Sequence, residues 1–178
     1  WYYAAGTAFP LTMDDLDGDG KLEISSYWYT VNNGANGCGT GSDTCTDDHS
    51  TYILIINEYG QEVLTMLTPD DSPDNGNAYT YITDLDNDGE KELLVLHTHS
   101  STYYPGNEYL QILDTNGSVM RSYNMGPGDA DWMAGVAVGD INNDSFDEII
   151  VAHHNQKLVL FDYQLNKLGE LNGYDWVY

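Results

Sequence analysis

A chain of 178 residues, 41% hydrophobic and 12% aromatic, is long enough for one domain with a core and too apolar for intrinsic disorder. With 5 Lys+Arg against 29 Asp+Glu the formal net charge is -24, which argues against a nucleic-acid partner, because phosphate backbones bind lysine and arginine through counterion release. The longest apolar runs, Tyr52 to Ile56 and Leu93 to Leu96, fall far short of the roughly 20 residues of a membrane helix, so no membrane insertion is expected.

The chain opens on Trp1 rather than Met, and no basic segment followed by an apolar run is present, so a mature or trimmed fragment is expected. Gly6 to Met13, rich in small and aromatic residues, suits a strand, and so does the β-branched and aromatic run Ile24 to Thr30. Between them lies Asp15-Leu-Asp-Gly-Asp-Gly-Lys-Leu-Glu23. A stretch rich in Gly, Asn, Thr and Ser follows from Val31 to Ser50 and holds both cysteines, Cys38 and Cys45. They read as one short disulfide stapling a surface loop in an oxidising compartment. A zinc site has only His49 as a further nearby ligand, and free thiols in a reducing compartment are the remaining reading.

Tyr52 to Ile56, the turn-forming Glu58-Tyr-Gly-Gln and a further run then give a hairpin. The same series returns twice. Ala78 to Thr83, the loop Asp84-Leu-Asp-Asn-Asp-Gly-Glu-Lys-Glu92 and Leu93 to His97 precede a hairpin that starts with Tyr109 to Leu113 and turns at Asp114-Thr-Asn-Gly. Trp132 to Gly139, the loop Asp140-Ile-Asn-Asn-Asp-Ser-Phe-Asp-Glu148 and Ile149 to Ala152 precede one that starts with Leu158 to Phe161 and turns at Tyr163-Gln-Leu-Asn. The loop starts are 69 and then 56 residues apart, the excess matching the cysteine-bearing insertion. One β-propeller region over 1–178 with repeats at about 1–73, 74–129 and 130–178 is therefore expected: all-β, three four-stranded antiparallel blades, with helices few or absent. Strands such as Glu92-Leu-Leu-Val-Leu are apolar at consecutive positions, so stacked neighbours must cover both faces.

Side chains at positions 1, 3 and 5 of a tight loop can point at one centre, a glycine at 6 permits the turn, a carbonyl at 7 points inward, and Glu at 9 closes the site. The ligands predicted are Asp15, Asp17, Asp19, Glu23 and the Lys21 carbonyl in loop 1, and Asp84, Asp86, Asp88, Glu92 and the Glu90 carbonyl in loop 2. In loop 3 they are Asp140, Asn142, Asp144, Glu148 and the Phe146 carbonyl. Hard oxygen donors in this number suit calcium better than magnesium or zinc, giving three Ca2+ sites. An EF-hand is excluded, because position 12 is Ser26, Val95 or Val151 and a strand follows instead of a helix. Asn142 and Ser145, where loop 2 has Asp86 and Gly89, make the third site the weakest.

These loops resemble the FG-GAP and VCBS repeats of integrin-α-like β-propellers, whose blades carry DxDxDGxxD/E loops between their first two strands. The FG-GAP signature itself has only Ala134-Gly-Val-Ala as a trace. The resemblance implies an extracellular or secreted calcium-rigidified scaffold for adhesion, glycan binding or assembly, with a glycan or cell-surface protein as partner, or a segment of a polysaccharide lyase or hydrolase.

Three blades fall short of the four to eight that close a propeller. Asp175-Trp-Val-Tyr resembles the Asp131-Trp-Met that opens the third repeat, as if a fourth blade began there. A piece of a larger propeller is expected, with self-assembly into an oligomer or filament as the alternative. His97 and His153 fall at one repeat position, 13 residues after the first loop aspartate, with His99 and His154 beside them, and read as strand-end residues on a rim. Tyr103 and Tyr104 suit stacking on sugar rings, and Asn116-Gly-Ser fits the N-glycosylation pattern. No catalytic residue and no organic cofactor site stands out, and enzymatic activity is not expected.

Overall fold

The computed structural model describes residues 7–8, 11–29, 51–67, 77–98, 107–127, 135–153 and 157–173. The cysteines, Tyr103, Tyr104, His99 and His154 lie outside them. Blade 1 consists of β1 (Thr7–Ala8), β2 (Thr12–Asp14), β3 (Glu23–Tyr29), β4 (Thr51–Ile56) and β5 (Glu62–Leu67). Blade 2 consists of β6 (Asn77–Thr83), β7 (Glu92–Thr98), β8 (Asn107–Leu113) and β9 (Val119–Pro127). Blade 3 consists of β10 (Gly135–Gly139), β11 (Glu148–His153), β12 (Lys157–Phe161) and β13 (Lys167–Asn172).

Every neighbouring pair is antiparallel and, β1 with β3 apart, joins strands consecutive in the chain, and among the described residues there is no helix, hence none long and apolar enough to cross a membrane. Blade 1 differs from the single strand expected over Gly6 to Met13. Two short pieces, β1 and β2, both pair with β3, and the sequence between them holds Pro10, which has no N–H to give to a ladder.

The hairpins are set by one side chain used three times. The Oδ1 of Asn57 accepts the amides of Tyr59 and Gln61, that of Asp114 those of Asn116 and Ser118, and that of Asp162 those of Gln164 and Asn166. Such Asx bonds satisfy turn amides that the ladder cannot reach. The fourth turn residue, Gly60, Gly117 or Leu165, is left-handed in each case, and a ladder bulge follows. Leu165 bears that backbone strain with its side chain buried between blades 2 and 3.

The strands with consecutive apolar residues are covered on both faces, as expected. Leu93 and Val95 pack with Leu16, Ile53 and Ile55 of blade 1. Leu94 and Leu96, on the other face, join Ile149, Val151, Val159 and Phe161 of blade 3. Within the blade 1–2 seam the buried Ser25 Oγ hydrogen-bonds Thr80 Oγ1 at 2.9 Å, so this polar pair is satisfied. A fully buried Leu or Ile side chain contributes about 1.5–3 kcal/mol, against about 0–1 for an exposed ion pair, so these seams dominate the stability.

The second residue of each loop reports which blade has a following neighbour. Leu16 is buried against blade 2 and Leu85, 2% exposed, is buried between blades 2 and 3, whereas Ile141 of loop 3 is 59% exposed. Leu85→Ala is therefore expected to lower the unfolding free energy by about 2–5 kcal/mol, and Ile141→Ala in dilute protein to change it by less than about 0.5. Urea titrations followed by tryptophan fluorescence check this pair, and equal losses would contradict the seam.

Candidate metal centres in three repeated loops

Each acidic loop leaves the outer strand of its blade (β2, β6 or β10) and feeds the next strand (β3, β7 or β11), which begins at the glutamate of loop position 9. Two residues per loop are left-handed. At position 6, Gly20, Gly89 and Ser145 have φ of 87°, 93° and 77°, and at position 4, Gly18, Asn87 and Asn143 have 77°, 57° and 64°. Glycine and asparagine tolerate that region best, and the requirement at position 4 escaped the sequence reading, which asked for a turn only at position 6.

These reversals aim amides inward at carboxylates. The position 1 aspartate takes the position 6 amide on Oδ2: Gly20 to Asp15 at 2.9 Å, Gly89 to Asp84 at 3.1 Å and Ser145 to Asp140 at 2.9 Å. The position 5 aspartate takes the position 7 amide on Oδ1: Lys21 to Asp19 at 2.9 Å, Glu90 to Asp88 at 2.8 Å and Phe146 to Asp144 at 2.9 Å. The position 9 glutamate reaches back to the position 2 amide: Leu16 to Glu23 and Leu85 to Glu92 at 2.9 Å, and Ile141 to Glu148 at 3.0 Å.

Carboxylates of loops 1 and 2 are thereby gathered rather than dispersed. Ligand-type oxygens of Asp15, Asp17 and Asp19 lie within 4.8 Å of one another, and so do those of Asp84, Asp86 and Glu92, and both clusters could hold a metal ion. Asp15 Oδ1 and Asp86 Oδ1 are buried with no hydrogen-bond donor. A buried carboxylate oxygen in that condition is costly unless a cation meets it, so the residues fit a hard dication. Burial first, and then the charges of Asp17, Asp19 and Asp15, push Glu23 above the ordinary glutamate range against the lowering bond from Leu16. Glu92 is raised in the same way, by burial and then by Asp86, Asp84 and Asp88, against the bond from Leu85.

The loops differ in what surrounds them. In loop 1 the Lys21 ammonium bonds Asp19 Oδ2 at 2.9 Å and Glu58 Oε1 at 2.8 Å and lies 5.7 Å from the Tyr59 ring centre. Its hydrogen bonds hold Asp19 below the usual carboxylate range. In loop 3 the Asn142 amide donates to Glu148 Oε1 at 2.7 Å, and Phe146 stacks on Tyr163 at 4.5 Å. Among the described residues, Asp140, Asp144 and Glu148 do not form a cluster of the kind found in loops 1 and 2.

Position 8 links loops 2 and 3 to the blade before each. Lys91 Nζ bonds Asp14 Oδ2 at 3.1 Å, and the Asp147 amide donates to the Leu85 carbonyl at 2.9 Å. Burial, followed by the charges of Asp140 and Asp84, raises the Asp147 carboxyl. His97, expected on a rim, lies near the end of β7 but is 1% exposed, because its side of the strand faces the blade 1–2 seam.

Residues 84–151, from the first aspartate of loop 2 into β11, match the FG-GAP-like repeat family model, so this part of the chain is similar to an FG-GAP-like repeat. Its loop and strand order recur in blade 1. Among solved structures, the crystal structure of BBS1N in complex with ARL6DN, soaked with lead, is similar with a TM-score of 0.47 at 12% identity, over 94% of this chain and 57% of that one. The mercury-soaked crystal gives 0.46 at 12% identity, over 92% and 57%. The chain thus spans 57% of the length of these structures. No curated protein matches it in sequence.

Two outcomes are expected. Ser145→Gly relieves a left-handed serine and should raise the unfolding free energy by about 1 kcal/mol, and a lower urea midpoint would contradict this. A carboxyl whose folded pKa is raised adds stability below its unfolded value and loses it as pH rises through the folded one. In a chelator the protein should therefore gain stability as pH falls from about 7 towards about 5, through Glu23 and Glu92. Lowered groups such as Asp19 act below that window. Urea midpoints across this range in EDTA provide the check, with a steady fall as the contrary result.

Proposed function

We propose that the chain is a calcium-binding propeller module in which the ions rigidify a scaffold for adhesion, glycan binding or assembly outside the cell. The observation that carries this reading is the buried, donor-free carboxylate oxygen in each of loops 1 and 2, Asp15 Oδ1 and Asp86 Oδ1, set among gathered acids. Calcium is the dication that accepts many carboxylate and carbonyl oxygens at flexible geometry, whereas magnesium demands a strict octahedron and keeps its waters.

Asp84, Asp86, Asp88, Glu92 and the Glu90 carbonyl form the tightest site in this reading, because among the described residues no lysine bonds its aspartates. Asp15, Asp17, Asp19, Glu23 and the Lys21 carbonyl follow, with Lys21 competing for Asp19. Asp140, Asn142, Asp144, Glu148 and the Phe146 carbonyl form the weakest, since Asn142 removes one charge and its amide is turned to Glu148. Sites this exposed to solvent suit the millimolar calcium of extracellular fluids better than the cytosol. An extracellular location also fits the partner class, a glycan or a cell-surface protein.

Thermal melting tests the reading. Calcium at about 100 times its dissociation constant should add about 2.7 kcal/mol per site, which raises the melting midpoint by about 5–10 °C over EGTA for a domain of this size. Asp86→Asn combined with Glu92→Gln should remove the largest part of that rise. An identical midpoint in calcium and EGTA would contradict it.

A further inference from the structure

The chain has four lysines and a single arginine, Arg121. Each lysine is in an ion pair: Lys21 with Asp19 and Glu58, Lys91 with Asp14, and Lys157 and Lys167 with Glu170. Arg121, exposed on β9, forms no ion pair among the described residues, although the sequence holds 29 acids. The ladder places it opposite Ile112, which packs in the blade 2–3 seam, and two residues before Tyr123, which packs there too. Paired residues share a face, so Arg121 stands on the side of β9 that faces blade 3. There it lines a cavity with Leu85, Met120, Tyr163 and two loop 2 acids, Asp86 and Glu92.

The walls of this cavity define what it can take. Arg121 offers a planar fork of N–H donors that matches a carboxylate in two parallel bonds. The neighbouring acids do not occupy that fork: Glu92 Oε2 accepts the Leu85 amide, and Asp86 Oδ1 is buried without a donor. The enclosed space is about 20 Å³, enough for one water-sized group, so the anion must be compact and carried on a slim stem. A phosphate is bulkier, and its double charge is repelled more strongly by a chain of net charge -24. A sugar acid carries its carboxylate directly on a ring too wide for this space. An aspartate or glutamate side chain fits, with its methylenes against Met120, 54% exposed, and the ring of Tyr163, which stacks on Phe146. Among the described residues β9 pairs only with β8, so an extended peptide finds an open strand edge beside Arg121.

We propose that this cavity docks one glutamate or aspartate side chain of a protein partner. Its carboxylate sits in the fork of Arg121, its stem lies on Met120 and Tyr163, and its main chain runs along β9. A segment acidic throughout is repelled by the net charge, so the docking acid stands among uncharged or basic residues. Asp86 and Glu92 repel the incoming carboxylate as well, unless a dication neutralises them, and in this respect the inference rests on the calcium reading. It narrows the partner class of that reading to a protein with an isolated acidic residue on an extended segment.

Arg121 is the chain's one arginine, so its Nε–Hε group gives a single side-chain cross-peak in a proton–nitrogen correlation spectrum. The probes are a short capped peptide of valines and threonines with a central glutamate, the same peptide with glutamine, and methyl glucuronoside. In calcium the glutamate peptide should shift the arginine peak saturably, with a dissociation constant of about 1 mM or lower. The glutamine peptide should bind about tenfold more weakly or not at all, and the glutamate peptide should lose about fivefold or more in EGTA. Arg121→Gln should cost about tenfold in anisotropy measurements with labelled glutamate peptide, while the melting rise in calcium stays that of the unsubstituted chain. An unmoved arginine peak, equal binding of the glutamine peptide or the glucuronoside, equal affinity in EGTA, or full affinity in Arg121→Gln would each overturn the proposal. Calcium uptake without any arginine response sinks this inference alone, whereas absence of calcium uptake sinks the calcium reading with it.

Discussion

A single hydrogen bond repeated three times ties the rest of the structure together: the position 9 glutamate, first residue of its strand, accepts the amide of position 2. The bond crosses the mouth of each loop and fixes where the strand starts. It also orients the position 2 side chain, which in blades 1 and 2 is the leucine that enters the next seam. An ion held by the loop would therefore be coupled mechanically to the packing of neighbouring blades. Burial of that glutamate raises the cost of its charge, and the same bond partly offsets it.

Charge is the constraint that this arrangement has to meet. Of the 29 acids, four, four and three stand at the predicted ligand positions of the loops, and the fold brings oxygens of six of them, Asp15, Asp17 and Asp19 and then Asp84, Asp86 and Glu92, within 4.8 Å of one another in two clusters. Amides at positions 2, 6 and 7 meet several of the oxygens, Lys21 meets one more, and Asp15 Oδ1 and Asp86 Oδ1 are buried without a donor. Like charges held this close repel, and a dication is the natural counterweight. A scaffold built in this way would be stiff with its ions and loosened without them, a useful property where calcium is plentiful.

Most of the fold was legible because the pattern is periodic. Three gap-free loops set the register of the blades, and consecutive apolar residues in β7 required cover on both faces, which Leu93 and Leu94 receive from opposite neighbours. The two acidic clusters, Asp15, Asp17 and Asp19 and then Asp84, Asp86 and Glu92, fall at positions that the same repeat picked out. Less legible were features that depend on contacts between repeats. The burial of His97 follows from the side of β7 it occupies, and the grip of Lys21 on both Asp19 and Glu58 joins residues from two turns. The left-handed position 4 could have been found, since Gly18, Asn87 and Asn143 are the residue types that tolerate it.

Calcium stoichiometry tests the central claim most directly. Equilibrium dialysis of the metal-stripped chain against labelled calcium should give two ions per chain bound tightly and a third at higher concentration, with Asp86→Asn removing or weakening one tight site. Binding of less than one ion per chain at millimolar calcium would contradict the account.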